Sequence, residues 1–457
     1  MGRVTLRQAA EWCDGKINPK YGDVTFYGAN IDTRKLEPGQ LFVALQGARD
    51  GHDFVDAAFE KGAAAVLCTH CDGDYPAIVV PDTRLALGRI AKQERLRLGI
   101  KVVGITGSVG KTTTKEMVAA VLGESFKTGK TPVNHNNDIG LPMTILALPE
   151  DTQVAVLEMG MNHFREIAYL SDIAKPDVAV IVNIGTMHIE HLGSQEGILQ
   201  AKLEILEGME AGGCVVLNGD DPLLWNQHKK LTQAVYFGVN NAASAVRGEY
   251  VAGADNMLTF NACYEGDILE IRLPVEGEHY VLDALAAVAV GLIFKVPKGK
   301  ICNALGNFQN AEGRQQIFTE GSYTIIKDCY NAGPESMAAA LNVLSGKKGR
   351  KIAVLGDMLE LGTCAQAEHY KVGRIAAEKA DVLLAYGPNS SKMLKGAITG
   401  GMSDLTARAF EDRDKIADVL SNIACPGDVI LFKGSRGMRM ELVLERFLQS
   451  IQTSEDK

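Results

Sequence analysis

Lys111, Thr112 and Thr113 follow three closely spaced glycines in KVVGITGSVGKTTTKEMVAAVL, residues 101–122. Val102, Val103 and Ile105 form a short apolar run suited to a buried parallel strand. Gly104, Gly107 and Gly110 let backbone turn sharply and approach a ligand closely. The helix that Lys111 opens carries Met117, Val118, Val121 and Leu122 on one face. Loop amides and a helix N-terminus together favour an anion. Lys111 adds a point charge suited to β/γ-phosphates, and Thr112 offers a hydroxyl to Mg²⁺. The order Thr106-Gly107-Ser108-Val109-Gly110-Lys111-Thr112 is not the full G-x-x-x-x-G-K-[ST] pattern, because Ile105 stands at its first glycine. It also misses the dinucleotide spacing G-x-G-x-x-G. The alternative to a phosphate site is a tight strand-to-helix turn with an exposed lysine.

Other chemistry-bearing residues sit at predicted strand ends. Gln153 to Leu157 is an apolar run ending in Glu158, where a carboxylate beside a phosphate loop could serve Mg²⁺. Val178 to Ile184 leads into a loop with His188, Glu190 and His191, which does not fit the zinc-protease spacing. One histidine is read as acting at the phosphate–metal centre, with a plain loop as the alternative. The loop TPVNHNNDIGLP, residues 131–142, holds Asn134, Asn136 and Asn137, whose amides could donate to phosphate or carboxylate, or simply shape turns. Lys202 falls on the apolar stripe Ile198, Ile205, Leu206 and Met209 of a predicted helix over 197–209. A lysine there must snorkel, pair or change chemically.

Three α/β domains are expected to position these residues. Residues 1–100 read as an α/β module without a phosphate loop. Its sharp-turning pieces around Thr33 and Arg34, and around Gly47, Asp50 and His52, could bind a phosphorylated group or be solvated loops. Residues 101–311 carry the phosphate loop on a parallel sheet, with an antiparallel appendage from Glu249 to Pro274 and a helix from His279. Residues 312–457 alternate strand and helix as a doubly wound, Rossmann-like unit. Its Arg314, Asp328, Asp357 and Lys433 to Arg436 lie at loops that could close over the central site.

Composition describes an ordinary soluble chain, for which the cytoplasm is the expected location. The chain has 457 residues, 46% hydrophobic and 23% charged, enough for several cores. A net charge of −9 argues against a nucleic-acid partner. No apolar run reaches a membrane span, and no leader pattern precedes the fold. The nine cysteines are scattered, and Cys68-Thr69-His70-Cys71 has no second pair to complete a zinc site.

Taken together, the motifs resemble the Mur ligase family across essentially the whole chain. TGSVGKTT resembles the family phosphate loop, and DTRKLEPGQLFVALQGARDGHDF its UDP-binding module. NHNNDIGLP, EMG at Glu158, GDMLELG at Asp357 and KGSRGMRME are similar to stretches of the members that add D-Ala-D-Ala, and the diaminopimelate-adding motif D-N-P-R is absent. The resemblance implies an ATP-dependent ligase in peptidoglycan precursor synthesis, hence in cell shape and division, with UDP-MurNAc-tripeptide and D-Ala-D-Ala as substrates and a monomeric state. It implies two Mg²⁺ ions, with Lys111 and Thr112 on the phosphates and Thr112 and Glu158 on the first metal. His188 would face the second metal beside a carbamate on Lys202. Arg314 and Asp328 would contact nucleotide from the closing domain, and Thr33, Arg34, Asn134, Asn136 and Asn137 would face substrate. Two departures concern the base: GEHYVLD keeps His279 but places Tyr280 and Asp283 where the family has asparagines, and Gly333 interrupts the usual YNANP.

Overall fold

The computed structural model describes residues 4–254 and 257–455. Its architecture is three α/β units, each built on its own sheet.

The central sheet has nine strands, in the order Asp267–Leu273, Met257–Tyr264, Val246–Ala254, Val235–Gly238, Cys214–Asn218, Val178–Ile181, Lys101–Thr106, Val154–Glu158, Thr128–Lys130. Lys101–Thr106 lies between Val178–Ile181 and Val154–Glu158, parallel to both, with Ile105 opposite Glu158 and Thr106 opposite Ile181. All three strands therefore end together, and their loops share one carboxyl edge, where ligands of open α/β sheets collect. Lys101–Thr106, Val154–Glu158 and Val178–Ile181 are buried on both faces, apart from Lys101 at the edge. Their Val- and Ile-rich runs are what such a position requires.

The phosphate-loop helix, Lys111–Gly123, buries Met117, Val118, Val121 and Leu122. Each fully buried side chain of this kind contributes roughly 1.5–3 kcal/mol. The helix packs on His279–Ile293, which is apolar almost all round and lies within the core.

The segment 249–274 is not an appendage. Its strands do pair antiparallel, but Val246–Ala254 also joins Val235–Gly238 in parallel, so they extend the central sheet. Local alternation reports a half-buried strand and says nothing about its second neighbour.

The amino-terminal sheet orders Lys16–Ile17, Ala77–Val79, Ala65–Cys68, Leu41–Val43 and Ala29–Asn30, parallel except at the first edge. The run from Phe26 to Asp32 does not form one strand, because it is divided at Gly28, whose φ of +63° breaks the pleat. A helix over Leu6–Cys13, capped by Thr5, precedes it and buries Leu6, Ala9, Ala10 and Cys13 at i, i+3, i+4 and i+7.

The carboxyl-terminal sheet orders Gln316–Glu320, Tyr323–Asp328, Val429–Lys433, Lys351–Gly356, Val382–Tyr386 and Ala407–Phe410. It is parallel apart from the first edge strand. Pro334 occupies the first turn of helix Pro334–Ser345, where a missing N–H costs nothing. No helix among the described residues is long and apolar enough to cross a membrane.

Candidate functional site

The phosphate loop is held open from across the sheet. Asn183, just beyond strand Val178–Ile181, accepts from Ser108 N at 3.1 Å and Val109 N at 2.9 Å through Oδ1. Its Nδ2 donates to Val109 O at 2.8 Å. Ser108 Oγ accepts from Gly185 N at 2.9 Å. Gly110 adopts φ +86°, the left-handed conformation that favours glycine, and its missing Cβ would lie 2.6 Å from Asp283 Oδ1.

Lys111 folds back over this loop and donates to Gly107 O at 2.8 Å and Ser108 O at 3.2 Å. Burial lowers its pKa, Glu158 opposes that shift, and Arg314 adds to it. Thr112 Oγ1 donates to Glu158 Oε2 at 3.0 Å, and Asn136 Nδ2 donates to Glu158 Oε1 at 2.8 Å. A buried hydroxyl and a buried carboxylate in contact are the hard oxygen donors that Mg²⁺ prefers. Among the described residues no three His, Cys, Asp or Glu side chains converge. A metal here would draw on Thr112, Glu158 and phosphate oxygens, so the donor set fits Mg²⁺ bound with a nucleotide.

A cavity of about 230 Å³ lies between this loop and the carboxyl-terminal unit. Of the residues assigned to ATP from the sequence, Ser108, Gly110, Lys111, Thr112 and Thr113 line it from one side. His279 and Asp283 also line it, and Arg314 and Asp328 reach it from the carboxyl-terminal side. Thr106 is buried in the strand and Gly107 faces Lys111, so neither lines the cavity. Arg314 stacks on the Tyr330 ring at 4.0 Å and donates to Thr112 Oγ1 at 3.3 Å. Lys433 Nζ, fully buried, donates to Asp328 Oδ2 at 2.6 Å.

Burial drives the perturbed groups of the base-side helix. It lowers the His279 pKa to about 4 and raises that of Asp283 to about 7, while Tyr280 is pushed upward. Asp283 accepts from Thr114 Oγ1 at 2.7 Å, and Tyr280 Oη accepts from Asn310 Nδ2 at 2.9 Å. The departure at Gly333 has a packing reason, since a Cβ there would meet Met187 Cγ at 2.7 Å.

Lys202 is 2% exposed, near the end of helix Gln195–Leu203. The helix stops earlier than expected and passes into a single 3₁₀ turn, Glu204–Leu206. Burial, reinforced by Lys111, drives the Lys202 pKa well down. Among the described residues Lys202 has no ion pair. Glu158 is taken by Thr112 and Asn136, and Glu204 by the Arg165 and Ala168 amides. His188 Nδ1 lies 2.6 Å from Glu360 Oε2, a carboxylate of the carboxyl-terminal unit.

The remaining assigned residues are committed locally. Arg34 forks onto Asp32, with bonds of 2.9 and 2.7 Å. His52 Nδ1 lies 2.6 Å from Asp50 Oδ1, and its Nε2 accepts from Thr69 N at 2.9 Å. Thr33 is half-buried and Gly47 exposed in the same set of loops. Asn137 caps the turn into helix Gly140–Leu146 through Gly140 N, and Asn134 is exposed. Asp357 does not close over the cavity, because its buried carboxylate accepts from Asn389 N and Nδ2, both at 2.9 Å. Asn183, Glu335 and Glu360 were not singled out from the sequence. Asn183 alone left a signal there, as an amide at a strand's carboxyl end. Glu335 accepts from Thr186 N at 3.0 Å across the two units.

Three family profiles match the chain. They are the Mur ligase family, catalytic domain, over residues 25–95, the Mur ligase middle domain over 105–291, and the Mur ligase, glutamate ligase domain over 313–436. A UDP-N-acetylmuramoyl-tripeptide–D-alanyl-D-alanine ligase of Bacillus subtilis is 40% identical, covering 98% of this chain and 99% of that protein. The enzyme of that name from Escherichia coli is 36% identical, covering 96% and 97%. A MurF crystal structure from Acinetobacter baumannii superposes with a TM-score of 0.91 at 32% identity, covering 98% and 99%. A MurF ligase from Thermotoga maritima in complex with ADP gives 0.83 at 28% identity, covering 94% and 98%.

Proposed function

This chain belongs to the Mur ligase family, and on that premise we propose that it joins D-Ala-D-Ala to UDP-MurNAc-tripeptide at the expense of ATP. The observation that carries this reading is the contact of Thr112 with Glu158 beside Lys111, closed over by Arg314 from the third unit. We divide the chain into a UDP-substrate domain over 1–100, an ATP domain over 101–311 and a closing domain over 312–457.

The tripeptide carboxylate attacks the γ-phosphate, giving an acyl phosphate and ADP. The amine of D-Ala-D-Ala then attacks the acyl carbon, and phosphate leaves. Lys111, Ser108, Gly110 and Thr113 hold the phosphates at the loop, and His279, Asp283 and Asp328 enclose the rest of the nucleotide. Thr112 and Glu158 would hold one Mg²⁺, and His188 with a carbamate on Lys202 a second. Bound Mg²⁺ supplies neutralisation of phosphate charge. The fit of Lys202 to a carbamate rests on its buried, unpaired and depressed amine, since a neutral amine can add CO₂ and become an oxygen ligand. Catalysis by these residues is positioning and charge stabilisation. Arg314 and Glu335, by bridging the units, exclude water that would hydrolyse the acyl phosphate. Asn134, Asn136 and Asn137 stand on the substrate side, with Thr33, Arg34, Gly47, Asp50 and His52 serving the UDP moiety. Its substrates, a nucleotide-linked peptide and a dipeptide, suit a cytoplasmic reaction.

The test is phosphate release with UDP-MurNAc-tripeptide and ATP while the amine is varied. Release that requires D-Ala-D-Ala is expected. Release with no amine requirement, or none at all, would remove the assignment.

A further inference from the structure

Lys115 lies one helical turn beyond Lys111 and has no solvent exposure. Taking an ammonium out of water is costly, and an aliphatic side chain of similar length would fill the space without that penalty. Its Nζ donates to Thr131 O at 2.7 Å and lies 2.9 Å from Glu116 Oε1. Neutralising Glu116 does not require it, because Glu116 already pairs with Lys130 through its other oxygen. The distinctive partner is the Thr131 carbonyl.

Thr131 is itself fully buried. Its Oγ1 accepts from Glu158 N at 2.9 Å, and its own N–H donates to Val156 O at 3.0 Å. The Glu158 carboxylate receives Thr112 and Asn136, and the Asn136 carbonyl accepts from Gly160 N at 2.8 Å. Thr131 is therefore where the phosphate-loop helix, the strand ending in Glu158 and the asparagine loop meet. Lys115 is the group that ties it to the helix.

We infer that Lys115 is a positioning residue that, through Thr131, sets the orientation of Glu158 and of the loop carrying Asn136. It acts on neither substrate nor metal directly. The inference rests on the assignment of Glu158 to a divalent ion under the function proposed above. Groups that orient a metal ligand from behind typically change metal affinity 10–100-fold when lost. Because Lys115 and Thr131 act along one path, their effects should not add.

The experiment is a titration of Mn²⁺, followed by electron paramagnetic resonance, into full-length protein saturated with ADP. Wild type is compared with Glu158→Gln, Lys115→Met, Thr131→Val and the Lys115→Met/Thr131→Val double variant. Glu158→Gln should weaken Mn²⁺ binding. Lys115→Met and Thr131→Val should each weaken it by roughly tenfold, with the double variant no weaker than the worse single one. Binding of ADP without a divalent ion should stay unchanged. A purely structural role would lower the melting midpoint and leave Mn²⁺ affinity where it was, and that result overturns the inference. Should Lys115→Met fail to fold, Lys115→Gln, polar but too short to keep the bond to the Thr131 carbonyl, takes its place, and unchanged Mn²⁺ affinity in it overturns the inference. Normal Mn²⁺ binding by Glu158→Gln would instead remove the metal assignment and this inference with it.

Discussion

Arg314, which precedes the carboxyl-terminal sheet, donates to Thr112 Oγ1 in the phosphate loop at 3.3 Å, while Glu158 accepts from that hydroxyl at 3.0 Å. One oxygen thus joins the third unit to the carboxylate proposed above as a metal ligand. Met187 against Gly333 and His188 against Glu360 lie along the same seam. The third unit and the loop thus meet along one line of side-chain contacts.

Replacing Lys111 with alanine should lower ligation by at least 10²–10³-fold, on the order of magnitude for losing one preorganised charge. Binding of UDP-MurNAc-tripeptide should persist, because the loops proposed for the UDP moiety lie in residues 1–100, outside the phosphate loop. Calorimetry on the variant checks this. Loss of UDP-peptide binding together with activity would mean that the units do not divide the substrates as proposed.

Turnover should require D-Ala-D-Ala or a close analogue and should fail with diaminopimelate or D-glutamate. A competition assay with equal concentrations of the three amines, read by product mass, settles the point. Efficient incorporation of diaminopimelate would assign the chain to a sister activity.

Lys202→Ala should be nearly inactive and partly rescued by small carboxylic acids, which can occupy the vacated space as oxygen ligands. Wild-type enzyme should lose activity in CO₂-depleted buffer and regain it with bicarbonate, because addition of CO₂ needs the neutral amine that burial makes accessible. Intact mass under CO₂-replete conditions showing only free lysine, with full activity, would exclude the carbamate.

Asp283 makes stability depend on pH. Its folded pKa is raised from an ordinary 3.8 to about 7, so the native state holds a proton that the unfolded chain has lost between those values. Native stability from this group is therefore greatest at low pH and falls as pH rises from about 4 to about 7, by roughly 4 kcal/mol in the limit. Urea unfolding at pH 5 and pH 8 should show about two thirds of that loss in wild type, roughly 2–3 kcal/mol, and much less of it in Asp283→Asn. Equal pH slopes in the two proteins would contradict the assignment.

Gly333→Ala should hinder closure, because its Cβ would press on Met187, and such overpacking typically costs about 1–3 kcal/mol. KM for ATP should rise in Gly333→Ala and recover when Met187→Ala is added. Additive effects of the two changes would show that the side chains do not meet in the working enzyme.

The local machinery is written in short, contiguous segments of the chain. Strand, glycine loop and helix lie within residues 101–122, and the spacing of apolar residues there states which face is buried, so Lys111 and Thr112 could be placed without coordinates. Glu158 was legible because it ends an apolar run, and burial of Lys202 because its position falls on a helical stripe. Which distant groups meet these residues depends on long-range packing. Asn183 grips a loop some 75 residues earlier in the chain, and Arg314 reaches a hydroxyl 202 residues before it. The strands after Val246 extend the central sheet rather than standing apart. Asp357 turns inward to Asn389 instead of toward the cavity. Periodicity records whether a residue is buried. It does not record its partner, because strand order and the packing of one unit on another are set by long-range contacts that leave no local pattern.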